Sequence, residues 1–138
     1  MPLAFERSQL PILVECDVAV VGGGFGGVAA APAFARAGRT VALIEPRTYL
    51  GREVTATLRP WIQMPQGGSA ALPEVVRACI EAGGTAADDG EIPLHMDAVK
   101  VTLEDLALQA GIKLIYARLP VGVPIEGGRI RGVIIGNK

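Results

Sequence analysis

Apolar residues form two short continuous runs near the start of the chain, with a helical pattern between them. Residues 17–21 (DVAVV) and 40–44 (TVALI) are rich in β-branched and small apolar side chains, which is typical of parallel strands covered on both faces. Residues 28–36 between them are alanine-rich and favour a helix, which Gly38 would end. The first 45 residues therefore predict a β-turn-α-β unit in which residues 17–21 form a central strand.

The middle of the chain has weaker patterns. Prolines, glycines and polar residues over 45–68 predict an extended, ordered loop. Ser69 is a candidate N-cap for a helix over residues 69–82, which Gly83 and Gly84 would close. Residues 85–94 contain acidic and turn-forming residues, so we expect a surface connection or a shortened insertion there.

Helix and strand patterns return in the last third of the chain. Apolar residues at helical spacing predict an amphipathic helix, namely Val99, Leu103, Leu106 and Ala110. Residues 112–116 (IKLIY) predict a third strand after Gly111. Two β-type runs flank Glu126-Gly127-Gly128 and predict a hairpin. Strands and helices thus alternate, as in α/β proteins with a parallel sheet.

The clearest chemical motif is the turn Gly22-Gly23-Gly24-Phe25-Gly26-Gly27, which fits GxGxxG directly between a strand and a helix. Gly22 would permit the tight turn out of the strand, Gly24 would let the backbone approach a pyrophosphate, and Gly27 would let the helix press against the sheet. Unpaired amides at the helix N-terminus would then face the anion. The motif predicts a Rossmann-like sheet that binds a dinucleotide.

Glu45 ends the second predicted strand, where a carboxylate can accept hydrogen bonds from the ribose hydroxyls of an adenosine. This position would repel the additional phosphate of NADP, so NADP is disfavoured. The simpler alternative is a plain β-α turn, with Glu45 as a solvated charge at the end of a strand.

Composition and charge exclude several other functions. The chain has 138 residues, half of them apolar, and a formal net charge of −1, so a buried core is feasible and no basic face is available for DNA or RNA. No apolar run approaches the length of a membrane span, and we expect a cytoplasmic protein without a membrane partner. Cys16 and Cys79 are expected to be small buried residues, and the isolated His95 does not suggest a metal site.

Residues 17–57 resemble the opening of the FAD-dependent oxidoreductases of the glutathione-reductase type. The resemblance implies FAD as cofactor, with the segment Glu45-Pro46-Arg47 placing an arginine near the adenosine. It also implies that a Leu-Gly-Gly-x-x-Thr-like loop contacts the pyrophosphate and the ribityl chain. Here that loop reads Leu50-Gly51-Arg52-Glu53-Val54-Thr55. Gly51 and Thr55 match the pattern, whereas Arg52 replaces the second glycine and offers a cation to phosphate or flavin.

The end of the chain resembles the same family. The resemblance implies that backbone groups of residues 117–121 contact the adenine, although Pro120 lacks an amide donor. Pro32 is another departure, because it lies inside the predicted cofactor helix, where we expect a kink or a local repair. Arg59 and Trp61 could line a flavin or substrate pocket, but a loop anchored by a half-buried Trp is the simpler interpretation.

These features favour the FAD-binding part of an oxidoreductase that moves hydride or electrons between an organic substrate and flavin. The alternatives are a non-catalytic module that binds FAD or NAD, and an NAD-dependent dehydrogenase. No catalytic residue is identified, and one histidine does not allow a hydrolytic triad. We expect residues 1–138 to be the N-terminal portion of an FAD-binding Rossmann-type domain, an incomplete domain. A continuation of the same protein or a partner subunit would supply the rest of the fold and the substrate domain.

Overall fold

Residues 10–57, 59–84 and 90–137 are described by a computed structural model. The main sheet is parallel, and three small antiparallel pairs of strands accompany it. In chain order the elements are β1 (Val18–Val21), α1 (Phe25–Arg36), β2 (Val41–Glu45), α2 (Arg52–Thr55), β3 (Trp61–Gln63), α3 (Glu74–Gly83), β4 (Glu91–Pro93), α4 (Met96–Gln109), β5 (Lys113–Tyr116), β6 (Arg118–Gly122), β7 (Ile125–Glu126), β8 (Arg129–Ile130) and β9 (Ile134–Asn137).

The predicted β-α-β unit and the α/β class are confirmed. The strands of the main sheet lie in the order β1-β2-β5, and both neighbours of β2 run parallel to it. All five residues of β2 are buried. The prediction of a central first strand is wrong for the described residues: β1 pairs only with β2 and is alternately half-buried and exposed. Continuous apolar sequence marks a strand that can be covered on both faces, but does not determine which strand lies at the centre.

Helix α1 begins at Phe25, three residues before the predicted start, so Gly26 and Gly27 form part of its first turn. Glycine has a low helix propensity, so the sequence does not predict a helical turn at these two residues. The helix continues through Pro32, which is buried. Because Pro32 has no N–H, α1 lacks the hydrogen bond that this position would otherwise donate to the preceding turn.

The predicted loop over residues 45–68 contains two short elements, α2 and β3, and β3 pairs antiparallel with β4. Ile62 lies opposite Ile92, which is fully buried. The prediction of a surface connection over residues 85–94 is therefore wrong for β4, while residues 85–89 lie outside the described residues. Strands of three residues are too short to show a period, and their partner is far away in the sequence.

The predicted helix over residues 69–82 starts later than expected. Residues Gly68–Ala71 form a 3₁₀ turn, and α3 begins at Glu74 with Pro73 at its N-cap position. Ser69 lies inside this turn and is not the N-cap of α3. Proline fits the start of a helix without loss, whereas in the interior it removes a hydrogen bond, and this agrees with a helix that begins directly after Pro73.

Helix α4 packs on α3, α1 and α2, and the core lies between these helices and β2. His95 caps α4, because its Nδ1 accepts a hydrogen bond from the Ala98 N–H at 3.3 Å. The helix buries Val99, Leu103 and Ala107 completely, which confirms the predicted amphipathic pattern. The isolated histidine thus has a structural explanation at a helix start.

The predicted hairpin around Gly127 and Gly128 is confirmed. Strands β7 and β8 flank these glycines, which have φ values of +56° and +75°, and β6 pairs with β9 outside them. Ile130 is 72% exposed. Among the described residues, no helix has the length and apolar character needed to cross a membrane.

Candidate functional site

The glycine-rich turn lies at the carboxyl end of β1, beside the carboxyl end of β2. Gly22 has a φ of +104° and donates its N–H to the Ile44 carbonyl at 2.8 Å. A Cβ at Gly27 would collide with the carbonyl oxygen of Gly22. Gly22 therefore permits the turn and Gly27 permits close packing of α1, in agreement with the tasks predicted for these two glycines.

Glu45 is the one charged residue that the described part of the chain buries, with 2% of its surface exposed. Its Oε2 accepts a hydrogen bond from the Gly23 N–H at 2.7 Å, and its Oε1 accepts one from the Arg47 N–H at 2.8 Å. Backbone donors thus satisfy both oxygens of this buried side chain. The alternative of a solvated charge at the strand end is wrong, and the ribose contact stays a prediction.

The Gly51 loop is attached to the glycine-rich turn. Gly51 has a φ of +73°, and its N–H donates to the Gly23 carbonyl at 2.9 Å. A Cβ at Gly51 would lie 2.7 Å from a Leu103 carbon and 2.9 Å from a Val99 carbon. The Thr55 hydroxyl donates to the Gly51 carbonyl at 2.9 Å. Gly51 and Thr55 thus build the loop itself, and their contacts with a cofactor stay a prediction.

Gly24 is the N-cap of α1, and no side chain caps this helix. The Glu53 side chain lies directly over Gly24: a Cβ at Gly24 would collide with Oε1 of Glu53 and lie 2.6 Å from its Cδ. Phe25 is half-buried, whereas Gly26 and Arg52 are exposed. The sequence gives no signal for the contact between Gly24 and Glu53, because it joins two turns 29 residues apart.

Strand β5 brings Tyr116 beside Glu45 in the register of the sheet. The Tyr116 hydroxyl donates to Oε2 of Glu104 at 2.7 Å. Burial, followed by this hydrogen bond and the charge of Glu104, raises the pKa of Tyr116 far above its ordinary value. Tyr116 is therefore a neutral donor fixed at the carboxyl end of β5.

The segment predicted to contact adenine, residues 117–121, directly follows Tyr116. Ala117 has a φ of +54° and donates its N–H to the Arg47 carbonyl at 3.1 Å. Ala117 and Pro120 consequently offer no free N–H, the first because it is used and the second because it has none. Arg47 and Pro46 are both half-buried at this end of the sheet. An adenine contact with residues 117–121 stays a prediction that depends on the remaining backbone groups.

A cavity of about 490 Å³ adjoins the glycine-rich turn, a volume within the range of small-molecule sites. The Arg59 guanidinium lies over the Trp61 ring, 5.8 Å from its centre. Trp61 is exposed and lies in β3, so it is not the half-buried anchor of a loop that the sequence favoured. Arg59 and Trp61 both line the cavity. Phe25, Glu53 and Val54 also line the cavity and belong to the two segments that the sequence assigned to the cofactor. The sequence did not point to the other lining residues: Ile62, Gln63 and Glu91.

The cysteines and acids do not form a second chemical centre in the described ranges. No group of three or more His, Cys, Asp or Glu residues could hold a metal ion there. Cys79 is fully buried, as predicted, and burial raises the pKa of its thiol to about 11. Cys16 is only half-buried, contrary to the prediction, because it precedes β1 at the edge of the sheet.

Comparison with known proteins agrees with this geometry. The family model described as FAD dependent oxidoreductase matches residues 17–138. No curated protein sequence matches the chain.

Solved structures share the fold. The chain is similar to THI4 of Thermovibrio ammonificans, with a TM-score of 0.59, 24% identity, and coverage of 88% of this chain and 47% of that one. It is also similar to a geranylgeranyl bacteriochlorophyll reductase-like protein of Thermoplasma acidophilum, with a TM-score of 0.61, 23% identity, and coverage of 87% and 34%. For Aquifex aeolicus GidA the TM-score is 0.67 and the identity 17%, with coverage of 91% of this chain and 23% of that one. The chain thus spans less than half of the length of each of these proteins.

Proposed function

The chain belongs to the FAD dependent oxidoreductase family, its cofactor is FAD, and we propose that residues 22–27 and Glu45 hold the ADP half of that cofactor. One observation carries this proposal: the start of α1, which no side chain caps, and the Glu45 carboxylate meet at the carboxyl ends of two parallel strands. Nucleotides bind at this end of open α/β sheets. Family membership also decides between FAD and the alternative cofactor NAD.

The turn has the properties that a pyrophosphate needs. The amides of Phe25 and Gly26 lie in the first turn of α1, where helix N–H groups have no partner within the helix. A Cβ at Gly26 would meet no atom within 4 Å, so the space beside this residue is open. In this proposal, Gly24 keeps the backbone accessible to the pyrophosphate, and Gly27 lets α1 lie close to the sheet.

Glu45 would accept hydrogen bonds from the ribose. Each of its oxygens accepts one backbone hydrogen bond, and a carboxylate oxygen has a second lone pair. Because Gly23 and Arg47 fix both oxygens, the carboxylate is already oriented before a ribose binds. Pro46 and Arg47 lie beside it and would flank the adenosine.

The Gly51 loop would complete the phosphate and ribityl part of the site. Its backbone is fixed against the glycine-rich turn by the Gly51 N–H. Arg52 and Thr55 are the first and last residues of α2, which follows Gly51, and the cationic side chain of Arg52 belongs to an exposed residue. Arg52 would balance part of the pyrophosphate charge, as the second glycine of the family pattern could not.

FAD supplies two-electron oxidation and reduction when it is bound. We propose that the whole protein uses FAD to oxidise or reduce a small organic substrate. We also propose that the cavity beside Phe25 and Trp61 lies on the way from the ADP half of FAD to its flavin ring. Trp61 and Ile62 offer apolar walls to a flat ring. Arg59 and Gln63 offer hydrogen-bond donors at the rim.

We further propose that these residues are the N-terminal portion of an FAD-binding domain. More protein, from the same polypeptide or from a partner subunit, would complete it, and the coverage of less than half of each related structure supports this. The exposed outer edge of β1 would accept such an addition. We place the protein in the cytoplasm, since free thiols are typical of reducing compartments.

Titration with FAD and with ADP tests the assignment of the ADP half. We expect both ligands to bind the whole protein, with displacement of FAD by ADP. We expect Gly24→Val to lose both ligands because a branched side chain blocks the backbone from the phosphates. Gly132→Val is the matched control, since a Cβ at Gly132 meets no atom within 4 Å. Unchanged binding of FAD and ADP by a folded Gly24→Val variant would refute the proposed role of the turn.

A further inference from the structure

We infer that Glu53 guards the phosphate end of the site: its carboxylate lies over Gly24 and has to move aside before a pyrophosphate can reach the turn. The inference rests on the proposed function, because it concerns the same turn. It adds a competing group within the chain, which makes binding of FAD weaker than the turn alone would allow.

The position of Glu53 follows from its contacts with Gly24. A Cβ at Gly24 would collide with Oε1 of Glu53 and lie 2.8 Å from its Oε2. Both carboxylate oxygens thus occupy the space beyond the Cα of Gly24. A missing Cβ at this position of the motif lets a phosphate approach closely, and here a side chain of the same molecule uses that space.

The local electrostatics explain why a carboxylate lies there. Gly24 is the N-cap of α1, a helix of 12 residues without a side-chain cap. The N-terminus of such a helix attracts negative charge. Glu53 lies in the first turn of α2, and Gly51, which precedes that helix, is hydrogen-bonded to Gly23. The attachment holds Glu53 within reach of Gly24 and makes this carboxylate the anion that the turn meets first.

A pyrophosphate and the Glu53 carboxylate cannot share the turn, since both are anions and both need the space over Gly24. The carboxylate has somewhere to go. Glu53 is exposed and lines the cavity of about 490 Å³, so its side chain can turn to another rotamer there. Binding of FAD would therefore be coupled to rotation of Glu53 away from Gly24, without movement of the backbone.

The competition with Glu53 predicts for which ligands the affinity depends on this residue. Ligands with a diphosphate, such as FAD and ADP, compete with the carboxylate. Riboflavin has no phosphate, so its binding should not depend on Glu53. A shorter acid should also relieve the competition, because Asp at position 53 keeps the charge but has one methylene fewer with which to reach Gly24.

The test compares the dissociation constants of FAD, ADP and riboflavin for the whole protein and for its Glu53→Gln and Glu53→Asp variants. We expect FAD and ADP to bind both variants about three- to tenfold more tightly, with riboflavin unchanged. Glu74→Gln is the matched control, because Glu74 is an exposed acid in the first turn of another helix. It should bind all three ligands like the parent.

The outcomes separate this inference from the proposed function. If the parent binds FAD and ADP while Glu53→Gln and Glu53→Asp bind them equally or less tightly, the guarding role is wrong and the proposed function stands. Tightening in Glu53→Gln alone would indicate a general charge effect and would also overturn the inference. If no variant binds FAD or ADP, both the inference and the proposed function fail.

Discussion

The N–H of Gly23 and the Oε2 of Glu45 are 2.7 Å apart, and this hydrogen bond joins the glycine-rich turn to the end of β2. The other carboxylate oxygen holds the Arg47 N–H. A residue expected to serve a ligand therefore also builds the site that would hold it. Its two roles can be separated, because one exists without FAD and the other does not.

Replacement of Glu45 should destabilise the chain even when FAD is absent. Glu45→Ala leaves the N–H groups of Gly23 and Arg47 without their acceptor, which should lower the free energy of unfolding by about 1–3 kcal/mol. Urea unfolding measures this loss, with Glu74→Gln as an exposed control. Affinity for FAD should fall further, by about 1–3 kcal/mol if the ribose is bound by charge-assisted hydrogen bonds. Equal unfolding free energies for parent and variant would contradict the structural role.

Two neighbouring glycines should respond to alanine in opposite directions. Gly27→Ala places a methyl group against the Gly22 carbonyl, so α1 has to move away from the turn. We expect a loss of about 1–3 kcal/mol in stability. Gly26→Ala meets open space in the same helical turn and should be neutral or stabilise by up to about 1 kcal/mol. Thermal unfolding of both variants tests the packing of α1. Equal changes in stability would show that the close approach of Gly27 to the Gly22 carbonyl does not limit this packing.

Leu103 should matter more than its neighbours on α4. It is fully buried and lies close to Gly51. Leu103→Ala should therefore cost about 2–5 kcal/mol of stability. Leu108 is on the same helix and 53% exposed, so Leu108→Ala should change the stability by less than about 1 kcal/mol. Denaturant unfolding measures both, and similar losses would mean that α4 packs through a different face.

Asp17 should make stability depend on pH in the acid range. Its carboxylate accepts hydrogen bonds from the backbone N–H and the hydroxyl of Thr40, both at 2.8 Å. The backbone hydrogen bond, followed by the hydroxyl, lowers the pKa of Asp17 below its ordinary value of 3.8. A carboxyl with a lowered pKa stabilises the fold above the unfolded-state pKa, and this contribution disappears as pH falls through the folded-state pKa.

Melting temperatures of the parent and of Asp17→Asn between pH 6 and pH 2.5 test this dependence. The parent should be the more stable of the two above about pH 4, and the difference should shrink at lower pH. A difference that stays constant over the whole range would assign the effect to something other than ionisation of Asp17.

The sequence predicts the parts of the structure that depend on nearby residues. Gly22 and Gly27 were assigned to the turn and to the packing of α1 from spacing alone, and both have these roles. Residues 112–116 were predicted as a strand, and β5 covers four of these five. Local patterns are sufficient here because a strand run or a glycine turn carries its own signal.

Contacts between distant segments could not be predicted in this way. The pairing of β3 with β4, the hydrogen bond between Tyr116 and Glu104, and the position of Glu53 over Gly24 each join residues that have no pattern in common. The buried state of Glu45 has the same origin. An acid at the end of a strand appears solvated until the backbone groups that surround it are known.

The order of strands in the main sheet has a consequence for how the chain folds. Val18 pairs with Val41, whereas Ala42 pairs with Lys113 across roughly three times the sequence separation. Closing the longer loop costs about 1 kcal/mol more in chain entropy, so we expect β1, α1 and β2 to come together first and β5 to join later. Mutations in β5 should then change mainly the unfolding rate, and mutations in α1 the folding rate. The cofactor turn would belong to the folding nucleus, formed before the third strand closes the sheet beside it.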